Sequence, residues 1–271
     1  MISDKKLGLI AGNGKFPIVF AQKARAKGYH VIAGGVQGDT SFFLRFFVDK
    51  YQAFHVGALL KLFEYFKAHQ IQDVIMAGQV NPDNLFEADI EFDDAFKNIL
   101  QALKNRKADT IFAAIADKLK EYGMSLLDST FLIKEYLAPQ GAMTKRGPSL
   151  VELEDIAFGR QIAKQMGGID IGQTVVVKEK AIVAIEAMEG TDRTIRRGGK
   201  IARRGAVVVK MSKPNQDFRF DVPVIGPRTI KNMIASQSGC IAIEAGKTIM
   251  IDKEICLKLA NKAGVCIVGT P

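Results

Sequence analysis

Residues 7–36 constrain the fold of this chain more than any other stretch. Leu7 to Ala11 is a short apolar run that ends in Gly12-Asn13-Gly14. Phe16 to Lys27 then carries helical periodicity and stops at Gly28, and His30 to Val36 forms a second apolar run. Strand, helix and strand, with glycines at the C-terminal end of the first strand, open a doubly wound α/β sheet, and that end is where such sheets bind ligands. The spacing departs from the dinucleotide fingerprint, because position 17 is Pro where G-x-G-x-x-G has its third glycine. Gly12, Asn13 and Gly14 are therefore candidates for a milder role, in which backbone N–H groups at a helix N-terminus approach an anion or a sugar. A tight turn without a ligand is the competing reading.

Gln72 to Ala77 reads as a third strand, followed directly by Gly78-Gln79-Val80-Asn81-Pro82. Gln79 and Asn81 would bring amide groups to the same sheet edge as the first glycine loop. Two aromatic clusters, Phe42, Phe43, Phe46 and Phe47 around Arg45, and Phe63, Tyr65 and Phe66 within the helix-like segment Ala58 to His69, read as core. An acyl-chain or membrane-facing role is the other reading. The acids Glu87, Asp89, Glu91, Asp93 and Asp94 read as a solvated run. Helical spacing covers Ala95 to Gln101 and Asp109 to Gly123, with Asp109 or Thr110 as a cap for the second, and Phe131 to Leu137 is a last short element. Residues 138–148, with Pro139, Gly141, Gly147 and Pro148, have the composition of an interdomain connection. The predicted domains are thus 1–137 and 149–271, and a length of 271 residues suffices for two modest cores.

The second half opens with Ser149 as N-cap and Glu152 three residues on, a capping box for a helix to about Met166. Gly167-Gly168 stops it. Short β-rich runs follow at Thr174 to Val177, Ala181 to Ile185, Ala206 to Lys210, Ile241 to Ala245, Thr248 to Ile251 and Val265 to Val268, which suggests an α+β plan. Thr229 is placed to cap a short helix over Lys231 to Ser236, and Lys253 to Ala263 reads as a structural helix. Cys240, Cys256 and Cys266 are odd in number, lack C-x-x-C spacing and sit among apolar residues, so they read as buried, reduced thiols.

Two stretches concentrate the chemistry. Ile185 to Gly199 holds Glu186, Glu189, Asp192, Thr191, Arg193, Arg196 and Arg197, which is acids to hold a hard cation beside guanidiniums to hold phosphoryl oxygens. A solvated charged turn is its plainer reading. Lys213 to Pro227 holds Asp217, Arg219 and Asp221 at alternating positions, which in an extended chain would all point to one face, with Phe218, Phe220 and Val222 on the other; two carboxylates flanking a guanidinium are site-like, and a surface ion-pair stripe is the plainer reading. With 38 basic against 29 acidic side chains, the formal charge of +9 suits an anionic partner: nucleic acid, an acidic membrane surface or a phosphorylated substrate. Aromatic and basic residues are not interleaved as in a nucleic-acid surface, and no apolar run reaches the ~18 residues of a membrane span. The N-terminus is too short and glycine-broken for a signal sequence. A cytoplasmic protein is expected.

Taken together, G-L-I-A-G-N-G-K-F-P at the start, G-Q-V at 78–80, L-L-D-S-T at 126–130, I-G-Q-T-V-V-V-K at 171–178, A-I-E-A-M-E-G-T-D-R-T-I-R-R-G-G at 184–199 and K-P-N-Q-D-F-R-F-D-V-P-V-I-G-P at 213–227 resemble the LpxI family. Its members are UDP-2,3-diacylglucosamine pyrophosphatases of bacterial lipid A synthesis. The resemblance implies an N-terminal Rossmann-like domain and a distinct α+β C-terminal domain with substrate between them, in a homodimer. It implies hydrolysis to UMP and 2,3-diacylglucosamine 1-phosphate with Mg2+ or another divalent cation, and peripheral contact with the inner membrane suits an amphiphilic substrate. An essential aspartate in the family's R-x-D-x-P-x-x-G motif falls on Asp221. Asp221, Asp192 and Glu189 are the catalytic candidates, and Asp221, Glu186 and Glu189 the metal candidates. Gly12, Asn13, Gly14, Gln79, Asn81, Thr191, Arg193, Arg196, Arg197, Lys213 and Arg219 are the candidates for holding substrate. A nicotinamide-dependent oxidoreductase and a basic nucleic-acid binder are the rival readings.

Overall fold

The computed structural model describes residues 5–80, 92–103 and 108–271. The chain forms two compact units, one of residues 1–134 with 217–221 and the other of residues 135–216 with 222–271.

In the first unit, β1 (Lys6–Ala11), α1 (Phe16–Ala26), β2 (His30–Val36), β3 (Lys50–Phe54), α2 (Leu59–Ala68), β4 (Asp73–Ala77), α3 (Asp94–Ala102), α4 (Ala108–Glu121) and β5 (Ser125–Leu126) follow one another. The sheet has the order β3-β2-β1-β4-β5, and every pairing is parallel. This is the doubly wound sheet expected from residues 7–36. β4 is buried along four of its five residues, as a strand covered on both faces must be. Phe63 and Phe66 are fully buried in a core with Val74, Leu119 and Met124, and Tyr65 packs against it.

Other expectations for this half need correction. Phe42, Phe43 and Phe46 are not core: a 3-10 turn over Phe42–Phe46 leaves them 58%, 64% and 63% exposed and buries Leu44 instead. Asp93 is not merely solvated. Its Oδ1 accepts from Phe96 N at 2.9 Å and its Oδ2 from Leu60 N at 2.6 Å, so one carboxylate serves the first turns of α3 and α2. Glu87, Asp89 and Glu91 lie outside the described residues. α4 begins at Ala108, which puts Asp109 and Thr110 within its first turn rather than ahead of it. The segment 131–137 is a succession of turns ending in a 3-10 turn at Lys134–Tyr136, started by Asp128, whose Oδ1 accepts from Thr130 N and Oγ1.

In the second unit, β6 (Gly141–Ala142), α5 (Leu150–Gly168), β7 (Thr174–Lys178), β8 (Ala181–Ile185), α6 (Thr191–Ala202), β9 (Val207–Lys210), β10 (Val224–Ile225), α7 (Pro227–Ala235), β11 (Cys240–Glu244), β12 (Ile249–Met250), α8 (Lys253–Ala263) and β13 (Cys266–Thr270) build a mixed sheet of order β6-β13-β11-β9-β7-β8 and a small β10-β12 pair. The centre of the large sheet, β13, β11 and β9, is parallel, while β6, β7 and β8 join antiparallel to their neighbours. Helices cover both faces. Ile156 and Ala163 of α5 pack on Val175, Val177, Val207 and Val209, whereas Ile195, Ile230, Met233 and Cys256 of α6, α7 and α8 pack on Val176, Val208, Ile241 and Ile267. Alternate residues of β7 and β9 thus feed two cores.

Ser149 and Glu152 form the expected capping box at α5, and all three cysteines are free and buried. Residues 138–148, which read as a connection, are built into this unit: β6 extends the sheet, Ala138 N donates to Thr248 O and Met143 N to Ile267 O. α7 begins at Pro227 behind Gly226, so Thr229 lies inside its first turn instead of capping it.

Candidate active site

The first unit assembles one group of candidates at the carboxyl edge of its sheet, between β1 and β4, where the strand order reverses. Gly12 N donates to Ala77 O at 2.9 Å and Asn13 N to Gln79 O at 2.8 Å, joining the two glycine loops. Glycine is required on both sides of this approach. A Cβ on Gly12 would sit 2.6 Å from Gln79 O, and Gly78, at φ +87°, would carry one 2.4 Å from Asn13 O. Gly14, exposed at φ +84°, leads into α1, whose first turn has no side-chain cap. Gln79 therefore joins Gly12, Asn13 and Gly14 as the sequence suggests, and Asn81 lies outside the described residues.

Asp221 reaches this same unit. Residues 217–221 are sewn to it by Ser129, a fully buried residue that the sequence reading passed over. Its N donates to Phe218 O at 2.9 Å, and its hydroxyl lies 2.6 Å from Met76 O in β4 and 2.8 Å from Arg219 O, sharing one proton between them. Phe220 stacks on Phe112 of α4 with ring centroids 5.5 Å apart. The expected extended stretch with Asp217, Arg219 and Asp221 on one face does not occur. Phe220 N and Asp221 N both donate to Asp217 O, at 3.3 and 3.0 Å, so the chain turns. Arg219 folds back on Asp217 with Nη2 2.7 Å from Oδ2 and Nε 3.0 Å from Oδ1, and this holds the Asp217 carboxyl below the usual range. Asp221 itself is partly buried.

The second unit holds the other group, where β8 turns into α6 through Gly190 at φ +79°. Glu186, 8% exposed, accepts from Thr191 Oγ1 at 2.9 Å; Lys210, 6% exposed, donates to the same hydroxyl at 2.8 Å. Lys210 Nζ lies 4.0 Å from Glu186 Oε2, an oxygen that is buried and without a hydrogen bond among the described residues. Lys210 was missed by sequence reasoning; its one signal is a lysine closing the apolar strand V-V-V-K. Glu189 receives Arg197 Nη2 at 2.5 Å and Ala187 N at 3.0 Å. Burial pushes the Glu189 carboxyl up, but these donors outweigh it and hold it below the usual range. Asp192 Oδ2 meets Arg228 Nε at 2.9 Å, and Lys213 pairs with Asp170 at 2.6 Å. Arg193 and Arg196 are exposed.

Each acid of the 185–199 stretch therefore faces a cation of the protein. Among the described residues no three His, Cys, Asp or Glu side chains gather into a group that could hold a metal ion. Glu186 and Glu189, two of the three metal candidates, lie against Lys210 and Arg197.

Comparison with known proteins agrees with this architecture. Residues 6–136 match the model of the LpxI N-terminal domain, and residues 139–268 match that of the LpxI C-terminal domain. The UDP-2,3-diacylglucosamine pyrophosphatase LpxI of Caulobacter vibrioides is 29% identical over 279 aligned positions, which cover 98% of this chain and 97% of that protein. Matched in both its units and along almost its whole length, the chain belongs to the LpxI family.

Proposed function

We propose that this chain is a hydrolase that cleaves the pyrophosphate bond of UDP-2,3-diacylglucosamine, giving UMP and 2,3-diacylglucosamine 1-phosphate for lipid A synthesis. Family membership supports the substrate. The observation that carries the chemistry is the delivery of Asp221, in R-x-D-x-P-x-x-G, to the unit whose glycine loops meet at the strand-order reversal. In this reading backbone amides around Gly12, Asn13 and Gly14, with Gln79, hold the nucleotide end of the substrate. Asp221 takes the proton from the attacking water as its oxygen bonds to phosphorus and the bridging P–O bond breaks.

Magnesium fits this donor set in one way. It is commonly held by one or two carboxylates together with substrate phosphates rather than by a cage of protein ligands, so Asp221 would hold it with the diphosphate in place of serving as the base. When bound, it neutralises phosphoryl charge and acidifies a water. A homodimer belongs to the same proposal, and sedimentation equilibrium tests it.

The deciding assay is UMP release from UDP-2,3-diacylglucosamine with and without a chelator. Asp221→Asn is expected to lower the rate by about 100-fold or more, with folding unchanged by circular dichroism. No release by the unaltered protein, or full activity in the variant, rejects the assignment.

A further inference from the structure

Phe42, Phe43 and Phe46 form a surface that the proposed chemistry does not use. The 3-10 turn carrying them runs between β2 and β3, and its inward side is supplied by Leu44 and, just beyond, Val48, at 0% and 8% exposure. The rings pack on each other instead of on the core: Phe42 lies edge-on to Phe43 at 6.2 Å and to Phe46 at 5.9 Å. Three adjacent aromatic rings, each more than half exposed, are a contiguous apolar patch of the kind that marks an interaction site. Arg45 lies across the patch with its guanidinium carbon 3.7 Å from the centre of the Phe42 ring.

The charge of the stretch that carries the patch selects the partner. Residues 5–50 hold eight Lys and Arg against two Asp, so 8 − 2 = +6 of the chain's total of +9 falls in this first stretch. α1, against which the turn packs, ends in Lys23 and Arg25, with Lys27 next. Asp49, one of the two acids, accepts from Val31 N and lies beside Arg25. A second copy docking by the same face would bring like charge against like charge. Exposed phenylalanines with Arg45 across them, in a stretch of net positive charge, suit the boundary of an anionic bilayer, rings at the acyl level and cations at the phosphates.

We propose that the 42–46 turn is the membrane-docking element of this protein, inserting Phe42, Phe43 and Phe46 into an anionic lipid surface with Arg45 at the headgroups. The inference gives the membrane contact of an amphiphile-processing enzyme a location, and its test uses no substrate, so it stands or falls separately from the hydrolase reading.

The chain has no tryptophan, so Phe43→Trp introduces a single reporter. Vesicles of phosphatidylethanolamine with phosphatidylglycerol should shift its emission to the blue, and lipids brominated on the acyl chain should quench it, while phosphatidylcholine vesicles do much less. In co-sedimentation, Phe42→Ser/Phe43→Ser/Phe46→Ser should bind the anionic vesicles about tenfold or more weakly, and Arg45→Gln about fivefold. The unfolding midpoint of the serine variant should hold, because the rings are already exposed; if that variant fails to fold, the indole signal alone decides. An indole unmoved by anionic vesicles, serine variants that sediment like the parent, or a serine variant whose mass in solution falls by half overturns the proposal.

Discussion

Glu244, at the end of β11, is 4% exposed and collects Lys164 Nζ at 2.7 Å, Lys247 Nζ at 2.8 Å, and Ser212 N and Oγ at 2.9 and 2.6 Å. Burial alone would raise its pKa. The two ammonium groups and the serine donors outweigh burial and bring it down to about 2. A carboxylate whose folded pKa is depressed adds stability above its unfolded pKa and loses it as pH falls toward the folded value. The shift from 4.5 to about 2 corresponds to about 3 kcal/mol. Glu244→Gln should therefore cost about that much at pH 7 and flatten the fall in stability between about pH 5 and 2. Urea midpoints measured across that range check it, and a variant with the parent's pH slope would show that Glu244 is not the titrating group.

Among the elements, α6 is the one whose ending carries strain. Arg203 follows it at φ +64° and ψ −59°, and Arg204 N donates to Ala202 O at 2.8 Å, which makes Arg203 the centre of a γ-turn with positive φ. That conformation is rare and strained for a residue with a Cβ. Arg203→Gly should raise stability by about 1 kcal/mol, the strain relieved less glycine's greater loss of freedom, seen as a higher urea midpoint at unchanged slope. A lower midpoint would mean that the arginine side chain offsets its own strain. Elements with a strong period were legible beforehand: α1, α2, α8 and the strands of the second unit lie within a few residues of their apolar patterns. β3 was not, because K-Y-Q-A-F is an edge strand with one buried residue and no apolar signature. The D-F-R-F-D alternation read as extended and is a turn, because Asp217 draws back both backbone amides and the Arg219 guanidinium. Glycine loops announce themselves locally, whereas Lys164 with Glu244 and Lys210 with Glu186 are 80 and 24 residues apart and leave no pattern to read.

At the scale of the whole molecule, sequence order and structural unit part company at residues 217–221, which leave the second unit and complete the first. The five residues carrying Asp221 therefore depend on the core of the first unit. Phe220 is the apolar anchor of this arrangement, packed against the cluster of Phe63, Leu119 and Met124. Phe220→Ala removes a partly buried ring and should cost about 2 kcal/mol, less than the ~3–5 kcal/mol of a fully buried phenylalanine. In scanning calorimetry the transition of the first unit should fall by about 5–10 °C while that of the second holds, and UMP release should fall with the loss of order at Asp221. Equal movement of both transitions would assign Phe220 to a core common to the two units. A full thermal profile with lost activity would make Phe220 a contact for substrate, and the sewing of 217–221 onto the first unit would then rest on Ser129 alone.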